Sequence, residues 1–397
     1  MQILIKNGLI LQNNGTFVKG HVGIDQGKIT ALWYNDPPLV SSDTQQIDAD
    51  RYLVSPGFID THVHGGMGFD FCYETEGWEK LEVRLSSSGV TSILVTSSAL
   101  PPDLTLRFIN RAAVQAEKNH SSQVDILGIH LEGPYLNKNK KATFLEENIR
   151  PGDIDEVKVI LERAGGWAKC LGLANGLVRV WTLAPDIAEN MTLVKTLATA
   201  GISVSIAHTE ADYDTAMAAF SAGANRVTHT FNTMPVLHHR YKGIINAAWQ
   251  HGAYMELIAD IHHVSPTIAR MFVAATDPGK VVLVTDNIEF AGLPDGNYAQ
   301  GKQRYVIAEG QIKTDWGIFA GSIVCMNQCV LNMTHWGFSA GTALKMATEN
   351  PARSIGFFDR KGSITPGKDA DVVILDNQFE VMLTIKGGQI VYRRDRF

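Results

Sequence analysis

Five residues carry the chemistry that can be read first. His62 and His64 stand two apart in an apolar run, and strand periodicity of two puts both imidazoles on one face, where they can share a metal ion. Glu132, His208 and His229 each follow or end a separate apolar run. Two nitrogens, one carboxylate and a water make an ordinary catalytic zinc set. A sixth residue, Asp286, follows Val281-Val282-Leu283-Val284-Thr285. A carboxylate there can take a proton from a metal-bound water and pass it to a leaving group. For any one of these residues a hydrogen-bonded polar network at a barrel mouth competes with metal ligation, and Asp286 also suits a helix N-cap. The whole set, one ligand type at each strand end, favours metal. Asp60 and Asp260 read as residues that orient neighbours or cap loops. Arg240 lies in a basic, His-rich segment from Met234 to Gly243, which can hold an anionic group or be a solvated loop. There is no Walker motif, so nucleotide phosphate is not indicated.

Such residues converge only if the intervening chain forms parallel strands. Eight β-branched runs alternate with Ala-, Leu-, Glu- and Lys-rich segments: 57–63, 91–96, 124–131, 178–183, 203–207, 226–230, 254–259 and 280–285. Continuous apolar runs are typical of strands buried on both faces. Eight βα units imply a closed α/β (β/α)8 TIM-like barrel, with an open doubly wound sheet as the alternative. The absence of GxGxxG after the first strand weakens that alternative. Helices are expected over 190–200 and 211–222. In a barrel the C-terminal strand ends share one face, which is where barrel enzymes react. Both chain ends read as short strands with turns, 3–5, 9–11, 22–24 and 28–32 at the start, 371–375, 381–385 and 389–392 at the end. They predict a small β-sandwich domain from residues 1–54 and 363–397, flanking a catalytic barrel of 55–362.

Composition bounds the partners. The chain has 397 residues, enough for a barrel and a companion domain, and its net charge of −6 excludes a general nucleic-acid binder. No run is apolar enough to span a bilayer, and no signal-peptide pattern opens the chain, so no membrane partner is expected. Cys72, Cys170, Cys325 and Cys329 read as free thiols of a reducing, cytoplasmic compartment. Cys325 and Cys329 suit one helix face better than a zinc knuckle.

Pro56-Gly57-Phe58-Ile59-Asp60-Thr61-His62-Val63-His64-Gly65 resembles the strand-one signature of the amidohydrolase superfamily. His130-Leu131-Glu132-Gly133-Pro134-Tyr135-Leu136 is more specific and resembles the N-acetylglucosamine-6-phosphate deacetylase family. So do Thr228–Met234, Leu257–Asp260, Leu283–Asp286, Phe319–Ser322 and Ala347–Ala352, in order along the chain. The resemblance implies metal ligation by Glu132, His208 and His229, a second metal position at His62 and His64, and an acid–base role for Asp286. It implies contacts to the sugar phosphate from Thr143, Asn232, Thr233, Arg240 and His263, and a sugar pocket lined by Phe319, Ala320 and Gly321. One or two divalent ions are implied, zinc foremost, with iron, manganese or cobalt also suiting His and carboxylate donors. An amino-sugar phosphate substrate and a homodimer follow from the same resemblance.

Two departures bear on the substrate. Phe144 stands where the family has a histidine against the substrate, and a phenyl ring cannot donate a hydrogen bond. Ile261 replaces a glycine after strand seven, which is expected to narrow the pocket and to exclude backbone angles that glycine reaches. Tyr241-Lys242-Gly243 also replaces a common Glu-Pro-Gly. Three readings stay open: a deacetylase of amino-sugar phosphates, a hydrolase of another N-acyl or cyclic amide, and a sugar-phosphate binder without turnover. Intact Asp286 speaks against the last.

Overall fold

The structure is a computed structural model, and it describes residues 1–73, 76–119, 122–172, 176–395 and 397. Eight parallel strands form the barrel: β1 (Phe58–Val63), β2 (Val90–Ser97), β3 (Asp125–Glu132), β4 (Val178–Leu183), β5 (Ser203–Ile206), β6 (Ala224–Val227), β7 (Tyr254–Leu257) and β8 (Val281–Leu283). They pair in sequential order from β1 to β8. Closure between β8 and β1 comes from the chain just past β8. The Asp286 amide donates to the His62 carbonyl at 2.9 Å, and the His64 amide donates to the Asn287 carbonyl at 2.8 Å. The seam thus lies at the C-terminal strand ends, and it fixes Asp286 against the His62–His64 pair.

The helices wrap outside, with signals the sequence carries locally. Asp153, Asp212 and Ser265 accept from first-turn amides at the starts of Ile154–Cys170, Tyr213–Ala222 and Pro266–Ala275. Apolar strand residues such as Phe58, Ile93, Ile129, Trp181 and Met255 are fully buried in one core with the inward helix faces. Strand six ends earlier than the apolar run suggests: His229 lies two residues past β6, in a turn with φ 32°. His208 (φ 48°) and Asp286 (φ 51°) also leave their strands in the left-handed region. That backbone is sparsely populated for non-glycine residues and recurs where side chains are held for function.

Residues from both chain ends build one eight-stranded sheet. Its order is 389–393, 381–386, 372–375, 53–56, 3–11, 17–25 and 28–33, with 45–48 beside 3–6. The sheet closes over its own core of Ile5, Ile10, Ile24, Val54, Ile374 and Ile385. Ile3–Leu11 is one strand, where two were expected. The Asn-Gly punctuation is a bulge between Ile5 and Gly8 with Asn7 at φ 63°. A three-stranded antiparallel insert, Gly296–Gln300, Gln303–Ala308 and Gln311–Thr314, follows β8. Sequence reading missed it, although Gly301-Lys302 and Glu309-Gly310 sit between alternating runs as hairpin turns do. No helix among the described residues is long and apolar enough to cross a membrane.

Candidate active site

Five of the strand ends, those of β1, β3, β5, β6 and β8, deliver polar groups to one face, with two groups from β1. Glu132 Oε1 lies 3.0 Å from His229 Nε2 and 3.4 Å from His208 Nε2, and the two imidazole nitrogens are 3.1 Å apart. The other oxygen, Oε2, lies 3.2 Å from His64 Nε2 and 3.5 Å from His62 Nε2. Asp286 Oδ1 completes that second group at 3.2 Å from His62 and 3.3 Å from His64. Glu132 therefore stands between two clusters, each offering donor atoms within 4.8 Å of one another.

The donor set fits divalent metal. All six side chains are buried. Two pairs of imidazole nitrogens face each other at 3.1 and 3.2 Å. Two bare lone pairs at that separation repel, so either a proton or a metal ion lies between them, and a metal ion is bound by both. His208 Nδ1 lies 2.7 Å from the Lys140 carbonyl and donates to it, which leaves Nε2 as the ligating atom. Burial alone would push Glu132 up, but His62, His208 and His229 hold it well below the carboxylate range. Burial would likewise lower His64, yet Asp286 and Glu132 raise it to about 9. The pocket is thus built for positive charge. Burial raises Asp286 while His62 and His64 lower it, and the net is a carboxylate held ionised below its ordinary value.

These groups floor a cavity of about 820 Å³. Its walls include Thr143, Asn232, Thr233, His263, Phe319, Ala320 and Gly321, so all but one of the expected substrate-contact residues face it. Asp260 accepts from His263 Nδ1 at 2.7 Å and from the amides of His262 and His263, so it orients its neighbour as expected. Asp60 accepts from the amides of His62 and Thr285 across the seam. Arg240 is the exception. It is exposed, bonded to His239 through Nε, and does not line its own chain's cavity. Sequence reading overlooked Lys302, the one lysine or arginine lining the cavity among the described residues. It sits at the tip of the unrecognised insert, whose Gln300 and Gln303 bond to Asp70 and to the Thr143 carbonyl.

The departures resolve differently. Phe144 stacks on His208 at 5.0 Å between ring centroids and presents an apolar wall beside the clusters. Ile261 does not narrow the pocket. Its side chain is 52% exposed, lies outside the cavity lining, and the backbone takes φ 70° despite the branch. A β-branched residue there carries about 1–2 kcal/mol of strain. Ile261→Gly is therefore expected to raise stability by roughly 1 kcal/mol after the added freedom of the unfolded chain is subtracted. A denaturant midpoint that falls instead would mean the side chain's contacts outweigh the strain.

Known proteins share this fold. The model of the Amidohydrolase family matches residues 53–391. N-acetylglucosamine-6-phosphate deacetylase of Bacillus subtilis is 35% identical, over 98% of this chain and 97% of that protein. The chain belongs to the amidohydrolase family, among the N-acetylglucosamine-6-phosphate deacetylases. N-acetylgalactosamine-6-phosphate deacetylase of Escherichia coli O157:H7 is 31% identical over 96% and 97% of the two chains. The crystal structure of N-acetylglucosamine-6-phosphate deacetylase from Thermotoga maritima superposes with a TM-score of 0.86 at 30% identity, covering 98% of this chain and all of that one. That from Mycobacterium smegmatis, an aspartate-to-alanine variant in complex with N-acetyl-D-glucosamine-6-phosphate, gives 0.86 at 27% identity, with coverages of 98% and 99%. Membership makes the chain a hydrolase and implies divalent metal, which the two clusters suit.

Proposed function

We propose that this enzyme hydrolyses the N-acetyl amide of an amino-sugar 6-phosphate, releasing acetate and the amino-sugar phosphate. The observation that carries the reading is Asp286 facing both histidines of one cluster while Glu132 spans the two, at the floor of a cavity walled by Asn232, Thr233 and His263. Glu132, His208 and His229 would hold one ion and His62 and His64 a second, with zinc foremost by donor type. When bound, the metal supplies an acidified water and stabilises the oxyanion. Asp286 takes the proton of the attacking water and returns it to the leaving amine. Phe144 keeps the carbonyl side dry. The domain division at 54/55 and 362/363 stands with this reading, as does a reducing cytoplasmic setting, which four unpaired cysteines support. The enzyme acts as a homodimer. Val236 and Tyr241, 80% and 72% exposed, flank Arg240 on a loop that a second copy would cover, carrying Arg240 to its partner's cavity.

Lys302 gives the cavity its own positive charge for the phosphate. Acetate release is measured on N-acetylglucosamine-6-phosphate, N-acetylgalactosamine-6-phosphate and unphosphorylated N-acetylglucosamine. Turnover of a phosphorylated sugar supports the reading and shows the epimer preferred; release from none, with metal bound, moves the function to another amide. Lys302→Ala is expected to raise KM for the phosphorylated substrate about tenfold, as loss of one partly exposed charge-assisted contact would. An unchanged KM would remove Lys302 from phosphate binding.

A further inference from the structure

The barrel interior beneath the metal clusters is not the usual packing of branched aliphatic side chains. Arg226, Glu256 and His62 are fully buried there, with Glu256 bonded to each of the other two. Glu256 Oε1 accepts from Arg226 Nε at 2.9 Å and Nη2 at 2.8 Å. Glu256 Oε2 accepts from His62 Nδ1 at 2.9 Å and from the His229 backbone amide at 3.0 Å. Arg226 is fixed in turn, with Nη1 on Ser354 Oγ at 2.8 Å and Nη2 on Thr61 Oγ1 at 2.5 Å. Of these residues only His62 and His229 belong to the ligand set assigned above.

We propose that Glu256 is a positioning residue that serves both metal clusters at once, with Arg226 as the buried counter-ion that permits it. The inference rests on the metalloenzyme reading. A carboxylate that accepts four hydrogen bonds and donates none must be ionised. Its Oε2 places the His62 proton on Nδ1, which leaves the Nε2 lone pair pointing at His64, Asp286 and Glu132. The same oxygen holds the amide of His229, whose φ of 32° needs an external restraint. One oxygen thereby orients a ligand of each cluster. His62, His130 and Glu256 also lie close enough to resemble a third metal group. The four donors already on Glu256 leave it nothing for an ion.

Glu256→Gln keeps the shape and breaks the logic. Both ends of the side chain meet only donors, and the charged Arg226, with two N–H groups on one oxygen, takes the amide carbonyl, so the NH2 confronts the pair His62 and His229. Facing His62, it forces the imidazole proton onto Nε2 and removes the ligating lone pair. Apoprotein is prepared with a chelator and reloaded with Zn²⁺ or Co²⁺. Metal per chain is counted, dissociation constants are taken by competition with a chromogenic chelator, and the visible bands of the cobalt form are recorded. Circular dichroism and melting confirm the fold. Wild type that binds no metal sinks the metalloenzyme reading, and this inference with it. With metal bound by the wild type, the variant is expected to bind at the His62 position about 10–100-fold more weakly, with altered cobalt bands. Dissociation constants within twofold of wild type at every position, with unchanged bands, overturn the role of Glu256 alone, because a purely structural residue lowers the melting point without touching them. Should Glu256→Gln not fold, Glu256→Asp is measured instead. It keeps the charge against Arg226 and withdraws the carboxylate from His62 and His229, and the same two outcomes decide.

Discussion

Asp286→Asn is expected to lower kcat by about 10²–10⁴, the usual worth of a positioned acid–base group. The substitution keeps the side-chain shape at the barrel seam, where the Asp286 amide and carbonyl are already committed to His62 and Ser322. What it removes is the capacity to accept a proton. The Glu132–His208–His229 cluster has no contact that depends on Asp286, so metal there should be retained, as a metal count per chain would show. The His62–His64 cluster does have Asp286 as its third member, so its occupancy is to be measured separately. A loss of rate that tracks lost metal would make Asp286 a ligand first. A loss of rate at full occupancy would make it the proton carrier, and turnover within tenfold of wild type would remove it from the mechanism. KM is expected to change little, because the group acts on the transition state more than on substrate binding.

The site was largely legible because a parallel barrel converts sequence order into spatial convergence. Once eight apolar runs are recognised, His62, Glu132, His208, His229 and Asp286 must share one face, whatever the errors at strand boundaries. Those errors were real: β6 stops at Val227, and His229 reaches the centre through a left-handed turn that no propensity announces. Glu256 and Arg226 went unnoticed for a different reason. They lie inside strands, and a charge within an apolar run gives no hint of its partner until the barrel closes around it. Lys302 escaped because the insert carrying it lies beyond β8, where the βα alternation used as a guide has ended. Arg240 was read as part of a basic loop that either holds an anion or stands in solvent, and within its own chain it is exposed and bonded to His239. Loop position relative to a barrel mouth is set by backbone turns, and residue type does not encode it. Ile261 illustrates the same limit, since a branched residue was expected to avoid the left-handed region and adopts it, with its side chain turned outward.

The second large effect expected lies at the opposite end of the barrel. Lys361, only 2% exposed, pairs with Asp125 at 2.9 Å, with Asp369 at 3.6 Å, and with Asp371. Lys386 reaches the other oxygen of Asp125 at 2.7 Å, and Lys28 binds Asp369 at 2.6 Å. Asp125 opens β3, whereas Asp371, Lys386 and Lys28 come from the terminal segments, so Lys361 ties the small sheet to the barrel floor. Burial disfavours the charged lysine, but the three carboxylates outweigh it and hold Lys361 above its ordinary value. Lys361→Met leaves those carboxylates buried with their central cation gone. Breaking a buried ion pair from one side costs about 3–5 kcal/mol, and the midpoint of thermal unfolding should fall by roughly 5–10 °C. The pH dependence identifies the cause. Asp371 is already raised above its ordinary 3.8 by burial, which outweighs the opposing Lys361, with a smaller push from Asp125. Without the lysine it rises further. A carboxyl whose folded pKa exceeds its unfolded one takes up a proton on folding, so stability rises as pH falls from the raised value towards the unfolded one. The deficit of the variant should therefore be smaller at about pH 5 than at about pH 8, whereas a deficit due to lost packing would be the same at both. Asp125 and Glu132 are seven residues apart on one strand, roughly 23 Å, so metal content and kcat of the folded variant should match the wild type. A deficit independent of pH would reduce Lys361 to a packing residue, and a changed metal content would mean that the sheet and the metal clusters are coupled through the barrel.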